Sequence, residues 1–386
     1  MKKIKLMNKI ASVGTDVFPK GNYEIGADLP NADAVMVRSA ALHDMPLNPE
    51  LLAIARCGAG VNNIPLDKCA EAGVVVFNTP GANANGVKEL AIAALILASR
   101  DIVGGIEWAK TLVGTEGVAK AVEAGKGAYV GHELTGKKLG VIGLGAIGGM
   151  VANAATHLGM QVQGCDPFLT VAGAWSLSRS VKRAATYDEI YAESDYITLH
   201  VPATADTKKM INKESIAKMK DGVRIINRAR ADLVDAEAVK EAIAAGKIAS
   251  YVTDFPTEET VGVPGITCIP HLGASTVESE DNCAVMAAEE LVEYLETGNI
   301  RNSVNYPAVS MPYSGLSRLC LLHKNIPNVL NAITGVISGH GINIAHLSNG
   351  SRGDYAYTIA ELDHKAPDDI VDALSKLEAV IKVRSI

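Results

Sequence analysis

Leu139-Gly140-Val141-Ile142-Gly143-Leu144-Gly145-Ala146-Ile147-Gly148 decides the reading of this 386-residue chain. Lys138 to Ile142 is a short apolar run with the character of a buried strand. Gly143, Gly145 and Gly148 then form a G-x-G-x-x-G turn, and apolar residues at helical spacing continue to Leu158. A second strand-like run, Gln161 to Cys165, ends at Asp166. Strand, glycine turn, helix, strand and acid in this order make up the dinucleotide-binding fingerprint. The first glycine permits a tight turn, the second lets backbone approach a pyrophosphate, and the third lets helix and strand pack closely. The helix start presents unpaired N–H groups and the positive end of its dipole to the phosphates. Asp166 stands where a carboxylate binds the adenosine ribose hydroxyls and repels a 2′-phosphate, so the expected cofactor is NAD. Gly143, Gly145, Ala146, Ile147, Gly148 and Asp166 are its expected contacts.

Composition narrows the remaining classes. The chain carries 36 Lys and Arg against 43 Asp and Glu, a net charge of −7, with 48% hydrophobic residues. No basic run is present, which argues against nucleic acid and anionic membranes as partners. The six cysteines show no C-x-x-C pair and read as reduced thiols of an intracellular, cytoplasmic protein. The N-terminus has no signal-peptide pattern, because Lys5 and Lys9 interrupt its apolar residues. The apolar run Leu90 to Ala98 is too short to span a bilayer. No metal-ligand cluster is expected.

Strand-like runs at Ile4–Met7, Ala34–Val37, Leu52–Arg56 and Val74–Phe77 alternate with polar or helical segments, which predicts a parallel sheet for the first 80 residues. Two strand ends there carry Arg38-Ser39 and Arg56-Cys57-Gly58-Ala59-Gly60-Val61. An Arg fork with a hydroxyl suits a phosphate, and a glycine-rich loop offers N–H groups to a carboxylate. Solvated strand ends followed by tight turns fit the same residues. A long apolar helix is expected from Gly86 to Ala109, then a weak helix and loop over 112–135. From Lys138 onward six strands are expected, at 139–142, 161–165, 195–199, 223–227, 249–253 and 266–269. The His200-Val201-Pro202 loop follows the third of these. Arg230, Glu258 and His271 each follow a later strand. Histidine suits proton transfer near neutrality, a carboxylate fixes its tautomer, and arginine grips a substrate carboxylate. A structural histidine capped by a loop glutamate accounts for the same spacing.

Seven runs together resemble the D-isomer-specific 2-hydroxyacid dehydrogenase family. They are Val37-Arg38-Ser39, Gly58 to Ile64, Asn78 to Asn83, the glycine turn at 143–148, Ile226 to Arg230 with Val234-Asp235, Phe255-Pro256-Thr257-Glu258, and Pro270 to Thr276. The match is nearest to members acting on D-3-phosphoglycerate. The resemblance implies Arg230, Glu258 and His271 as the catalytic set. It implies Arg38, Ser39 and Arg56 on the substrate phosphate, and Ala59, Gly60, Val61 and Asn83 at its carboxylate end. Pro202, Thr207, Asp254 and Gly273 join the cofactor contacts. The chain departs from the family at Asn62, where Asp is usual, at Ala231, where Gly follows the catalytic Arg, and at Asp254-Phe255, which is one residue short. Alignment on Phe255 makes Glu258 the partner of His271; alignment on Asp254 makes it Glu259. Other readings are a dehydrogenase of unphosphorylated 2-keto acids, such as glyoxylate or hydroxypyruvate, and a non-catalytic NAD and amino-acid sensor.

The last stretch follows a βαββαβ order, the ferredoxin-like plan. His323 to Pro327 and Gly341 to Ala345 resemble an ACT regulatory domain, although Asn328 replaces a usual glycine. That resemblance implies an amino-acid effector, serine, held by His323, Asn325 and Asn343. The expected architecture is therefore α/β throughout. A discontinuous, flavodoxin-like substrate domain (1–90 and 275–305) flanks a doubly wound Rossmann-type NAD domain (91–274). A linker (306–313) leads to a ferredoxin-like ACT domain (314–386). The family pairs copies into homodimers or homotetramers.

Overall fold

The computed structural model describes residues 1–314 and 317–386. Gly315 and Leu316, inside the stretch assigned to the last domain, lie outside the described residues. The chain divides into two compact units, 1–82 with 280–386, and 83–279.

The first unit contains two sheets. β1 (Lys2–Leu6), β2 (Tyr23–Gly26), β3 (Ala34–Val37), β4 (Ala53–Arg56) and β5 (Val75–Asn78) form a parallel sheet in the order β2-β1-β3-β4-β5. This is the flavodoxin-like order, in which ligands lie beyond the carboxyl ends of strands. β3 is buried along its whole length, as expected for a strand covered on both faces. The sequence pattern missed β2, a short strand whose YEIG run buries only Tyr23.

The second unit is built on seven strands: β6 (Lys138–Ile142), β7 (Gln161–Cys165), β8 (Lys182–Arg183), β9 (Tyr196–Leu199), β10 (Val223–Asn227), β11 (Ile248–Thr253) and β12 (Ile266–Cys268). Their order, β12-β11-β10-β9-β6-β7-β8, reverses direction between β6 and β9. Six strands were expected; the seventh, β8, has two exposed residues and no apolar signal. The expected helix from Gly86 to Ala109 is instead two. One spans Ala84–Ser99 and the other Ile102–Lys110, and the break at Arg100 is extended (φ −137°, ψ 137°). Asp101 starts the second helix by accepting the Gly104 N–H at 2.9 Å. The Ala84–Ser99 helix lies entirely within the second unit, although the 90/91 boundary divided it.

The rest of the first unit contains the long helix Val277–Thr297 from Glu280 onward and an antiparallel sheet of β13 (Ser317–Lys324), β14 (Ile344–Arg352), β15 (Tyr355–Leu362) and β16 (Val380–Ser385) in the order β14-β15-β13-β16. Both faces of this sheet are used. Leu319, Leu321, Ala360 and Leu362 pack on its two helices. Cys320, Leu322, Tyr357 and Ile359 join the same core as Ile4, Phe77, Tyr294 and Tyr306. Segment 306–313 does not behave as a free linker. Tyr306 is fully buried and its hydroxyl donates to Ala70 O, and Val309 bridges Ile300. Arg318, with no exposed surface, bonds Glu361, Thr297 O, Asn299, Met311 O and Pro312 O. Arg384 donates to Tyr294 O and Leu295 O, placing a cation at the negative end of the long helix. Among the described residues, no helix is long and apolar enough to cross a membrane.

Candidate active site

β6 and β9 part at the switch point, and the glycine turn sits in that crevice. Gly143 adopts φ +87°, and a Cβ there would fall 2.6 Å from His200 O. At Gly148 a Cβ would fall 1.9 Å from Gly143 O, so strand and helix meet only without a side chain. Gly145 has nothing within 4 Å and leaves its backbone open at the start of the Ala146–His157 helix. Asp166, at the end of β7, accepts from Leu144 N (2.8 Å) and Phe168 N (2.9 Å). A carboxylate has about four lone-pair sites, so it retains acceptor capacity for ribose hydroxyls. A cavity of about 330 Å³ lies beside this turn, lined by Leu144, Gly145, Ala146, Asp166 and Phe168 among others. A glycine cradle, an open helix start and an acid at the next strand fit NAD.

The loop after β9 is held by its own side chains. Thr207 Oγ1 donates to Pro202 O at 2.6 Å and accepts from Thr204 N. The Thr207 hydroxyl therefore shapes the loop. His200 packs beside the turn, with Nε2 2.9 Å from Thr198 Oγ1; burial pushes its pKa down to about 4, so the ring is neutral.

Beyond β10 and β11 the second unit gathers Arg228, Arg230, Asp254, Phe255 and His271. The Asn227 side chain fixes the turn after β10 by donating to Arg230 O and accepting from Ala229 N. Arg230 is exposed, with Nη1 on Ala229 O, and its guanidinium lies 5.9 Å from the Phe255 ring centroid. Phe255 also meets His271, at 4.6 Å between centroids. Phe255 thus brings the expected Arg and His together, a role the sequence reading did not assign. Glu258 and Glu259 are both exposed, and neither is hydrogen-bonded to His271 among the described residues. The carboxylate whose charge is coupled to His271 is Asp254, buried at the end of β11. Burial raises the Asp254 pKa, while Arg228 and His271 oppose the shift. Gly273 is buried beside it, and a Cβ there would meet Val87 at 3.2 Å and Asp254 Oδ2 at 3.7 Å. Asn83 precedes the Ala84–Ser99 helix and makes no side-chain cap bond.

In the first unit, Arg38, Ser39 and Ala40 follow β3. Their three backbone N–H groups all donate to Asn8 Oδ1 at 2.9–3.1 Å. Asn8, two residues beyond β1, is a shaping residue that carried no motif signal. Arg56 Nε donates to Arg38 O at 3.2 Å, which ties the two strand ends together. Gly58 has φ +144°, and its missing Cβ would lie 1.7 Å from Arg56 Nη1. Asn78 donates to Ala59 O, fixing the loop that contains Gly60 and Val61. Arg38 is ion-paired with Glu280 at 2.6 Å, with both side chains less than half exposed. The nearby thiols of Cys57 and Cys283 are buried, and burial pushes Cys57 up to about 12.

On the ferredoxin-like part, His323 is buried, with one ring nitrogen on Lys324 O and the other on Thr358 Oγ1, both at 2.9 Å. Asn325 donates to Gly353 O, and the Asn343 backbone N–H donates to Asp363 Oδ1. Asn328 takes the left-handed conformation, φ +68°, that glycine would adopt without strain. Among the described residues there is no group of three or more His, Cys, Asp or Glu suited to a metal.

Comparison with known proteins adds the chemistry. The D-isomer specific 2-hydroxyacid dehydrogenase NAD binding domain matches residues 96–273. D-3-phosphoglycerate dehydrogenase 1 of Saccharomyces cerevisiae is 32% identical over 352 residues, 84% of this chain and 71% of that one. D-3-phosphoglycerate dehydrogenase of Escherichia coli K12 is 32% identical over 348 residues, covering 87% and 81%. Among solved structures, the NAD+-bound 3-phosphoglycerate dehydrogenase of Entamoeba histolytica has a TM-score of 0.60 at 26% identity, covering 79% of this chain and 98% of its own. The chain belongs to the D-isomer-specific 2-hydroxyacid dehydrogenase family and is an NAD-dependent oxidoreductase.

Proposed function

We propose that the protein oxidises D-3-phosphoglycerate to 3-phosphohydroxypyruvate, the entry step of serine synthesis. Bound NAD+ supplies the hydride acceptor for C2. His271 takes the hydroxyl proton, and in reverse returns it. Arg230 grips the carboxylate and stabilises charge on the C2 oxygen. Glu258 is the carboxylate proposed to close on His271 during turnover, with Glu259 as the alternative. Arg38, Ser39 and Arg56 hold the phosphate, while the Ala59–Val61 loop and Asn83 serve the carboxylate end. The observation that carries this reading is the joining of two arginines at adjacent strand ends, Arg56 Nε on Arg38 O. The relatives' names support it. We also propose serine as an effector at His323, Asn325 and Asn343, a cytoplasmic location, and assembly as a homodimer or homotetramer.

The Arg38–Glu280 ion pair favours a second reading, because it neutralises one phosphate ligand. On that reading the substrate is an unphosphorylated 2-keto acid. NADH oxidation with 3-phosphohydroxypyruvate, with and without L-serine, tests the proposal. Turnover at least tenfold above that with hydroxypyruvate supports it; the reverse preference overturns it. Suppression by serine supports the effector assignment separately.

A further inference from the structure

Arg38 directly follows β3, and Arg56 ends β4, its neighbour in the first sheet. Arg56 places one donor, Nε, on Arg38 O, and its remaining N–H groups make no hydrogen bond among the described residues. Arg38 turns its own guanidinium to Glu280, with Nη2 2.6 Å from Oε1. Glu280 lies in the first turn of the long helix Val277–Thr297. Among the described residues it is the one carboxylate within 4 Å of either arginine. The three charges converge, because the Cys283 thiol, one turn further along that helix, feels Arg56, Arg38 and Glu280 at once. The pair is open to water: the two side chains are 42% and 43% exposed.

Two guanidiniums and one carboxylate leave one net positive charge. A phosphate monoester carries about 1.5 to 2 negative charges near neutrality. With Glu280 on Arg38, a bound phosphate would be under-neutralised and would face a like charge across the arginine. With Glu280 released, the two guanidiniums balance it. Half-exposed ion pairs hold weakly. A guanidinium meets a phosphate through parallel, charge-assisted N–H bonds, the stronger contact. Glu280 keeps a favourable place after release, since the first turn of its helix carries the positive end of the dipole. A phosphate can therefore replace this counter-ion, and an uncharged hydroxymethyl group cannot.

We propose that Glu280 is a specificity-determining residue: it occupies Arg38 as an internal counter-ion, a substrate phosphate displaces it, and this exchange sets how strongly the site prefers phosphorylated over unphosphorylated 2-keto acids. The inference rests on the reading of Arg38 and Arg56 as phosphate ligands. A permanent ion pair would mark a site for unphosphorylated acids; an exchanging one tunes phosphate affinity.

The test compares wild type, Glu280→Gln, Arg38→Met and the double variant. NADH oxidation is followed with 3-phosphohydroxypyruvate and with hydroxypyruvate, and inorganic phosphate serves as competitive inhibitor. Glu280→Gln keeps the shape and removes the competing charge. Its KM for 3-phosphohydroxypyruvate and its inhibition constant for phosphate should both fall roughly three- to tenfold. Its KM for hydroxypyruvate should stay within twofold. A rise in the first two constants would mean that the salt bridge holds Arg38 in place, and overturns the exchange. No change, or an equal fall for both substrates, overturns it as well. Arg38→Met should raise the KM for 3-phosphohydroxypyruvate at least tenfold. Adding Glu280→Gln to it should alter that KM less than twofold, because no arginine remains to compete for. Unaltered substrate preference in Arg38→Met overturns the phosphate reading and this inference together. A loss in Arg38→Met without a gain in Glu280→Gln overturns the inference alone. If Glu280→Gln does not fold, Glu280→Ala is measured with the same criteria.

Discussion

The Phe255 ring lies against the His271 imidazole at 4.6 Å, tilted by 49°. The Arg230 guanidinium stands 5.9 Å from the centroid of the same ring. One aromatic side chain thus touches both the proposed proton carrier and the proposed carboxylate ligand. Such ring pairs contribute about 0.5–1.5 kcal/mol beyond their buried area. Phe255→Ala should lower kcat about tenfold while the Kd for NADH stays within twofold, and Phe255→Tyr should be close to wild type. Steady-state kinetics with a fluorescence titration decide this; a kcat unchanged by Phe255→Ala removes the contact from the mechanism.

Gly58 makes a second prediction. Its φ of +144° and the 1.7 Å approach of Arg56 to its absent Cβ mean that Gly58→Ala must displace the Arg56 guanidinium. The KM for 3-phosphohydroxypyruvate should rise roughly tenfold, the cost of about one charge-assisted hydrogen bond. The KM for hydroxypyruvate should change little. A parallel rise for both substrates would move Arg56 from phosphate binding to general support of the loop.

Glu290, on the long helix Val277–Thr297, is 7% exposed. Its Oε1 accepts from Asn302 at 2.6 Å, and its Oε2 has no partner. Burial raises its pKa from the ordinary 4.5 to about 8. Because the folded value exceeds the unfolded one, its contribution is fully present below about pH 4.5 and lost as pH rises through 8. Glu290→Gln keeps the shape without the charge. It should match wild type near pH 5 and exceed it by about 3–5 kcal/mol near pH 9. Thermal or denaturant unfolding at the two pH values is the check; an offset independent of pH contradicts the assignment.

The Arg318–Glu361 pair has no exposed surface on the arginine and 2% on the glutamate. Arg318→Met leaves a buried carboxylate unpaired and should cost about 3–5 kcal/mol. Arg318→Met combined with Glu361→Leu should recover the part due to the stranded charge and not the part due to Thr297 O, Asn299, Met311 O and Pro312 O, which still lose their donor. Urea unfolding of the wild type and the variants measures the coupling. Simple additivity of the two losses would exclude it.

What the sequence made legible follows from what is locally encoded. The glycine turn, the acid at Asp166 and the continuous apolar run of β3 carry their own spacing rules, and the structure places the turn and the acid at strand ends. Phe255 and Asn8 were opaque for the opposite reason. Each meets a partner distant in sequence: His271 and the 38–40 backbone. The break at Arg100 escaped because apolar spacing continues across it, while Asp101 stops the helix through one side-chain cap. The proposed Glu258–His271 contact depends on a loop conformation that residue spacing does not encode.

The sheet of β13 to β16 is covered on both faces, one by its own helices and the other by the core around Tyr294 and Tyr306. A module that can be gained or lost in evolution needs a surface able to face water when alone. Here the seam lacks one: Cys320, Leu322, Tyr357 and Ile359 share one buried apolar core with Phe77 and Tyr294. Shortening this chain to residues 1–305 would therefore turn apolar residues of that shared core towards water.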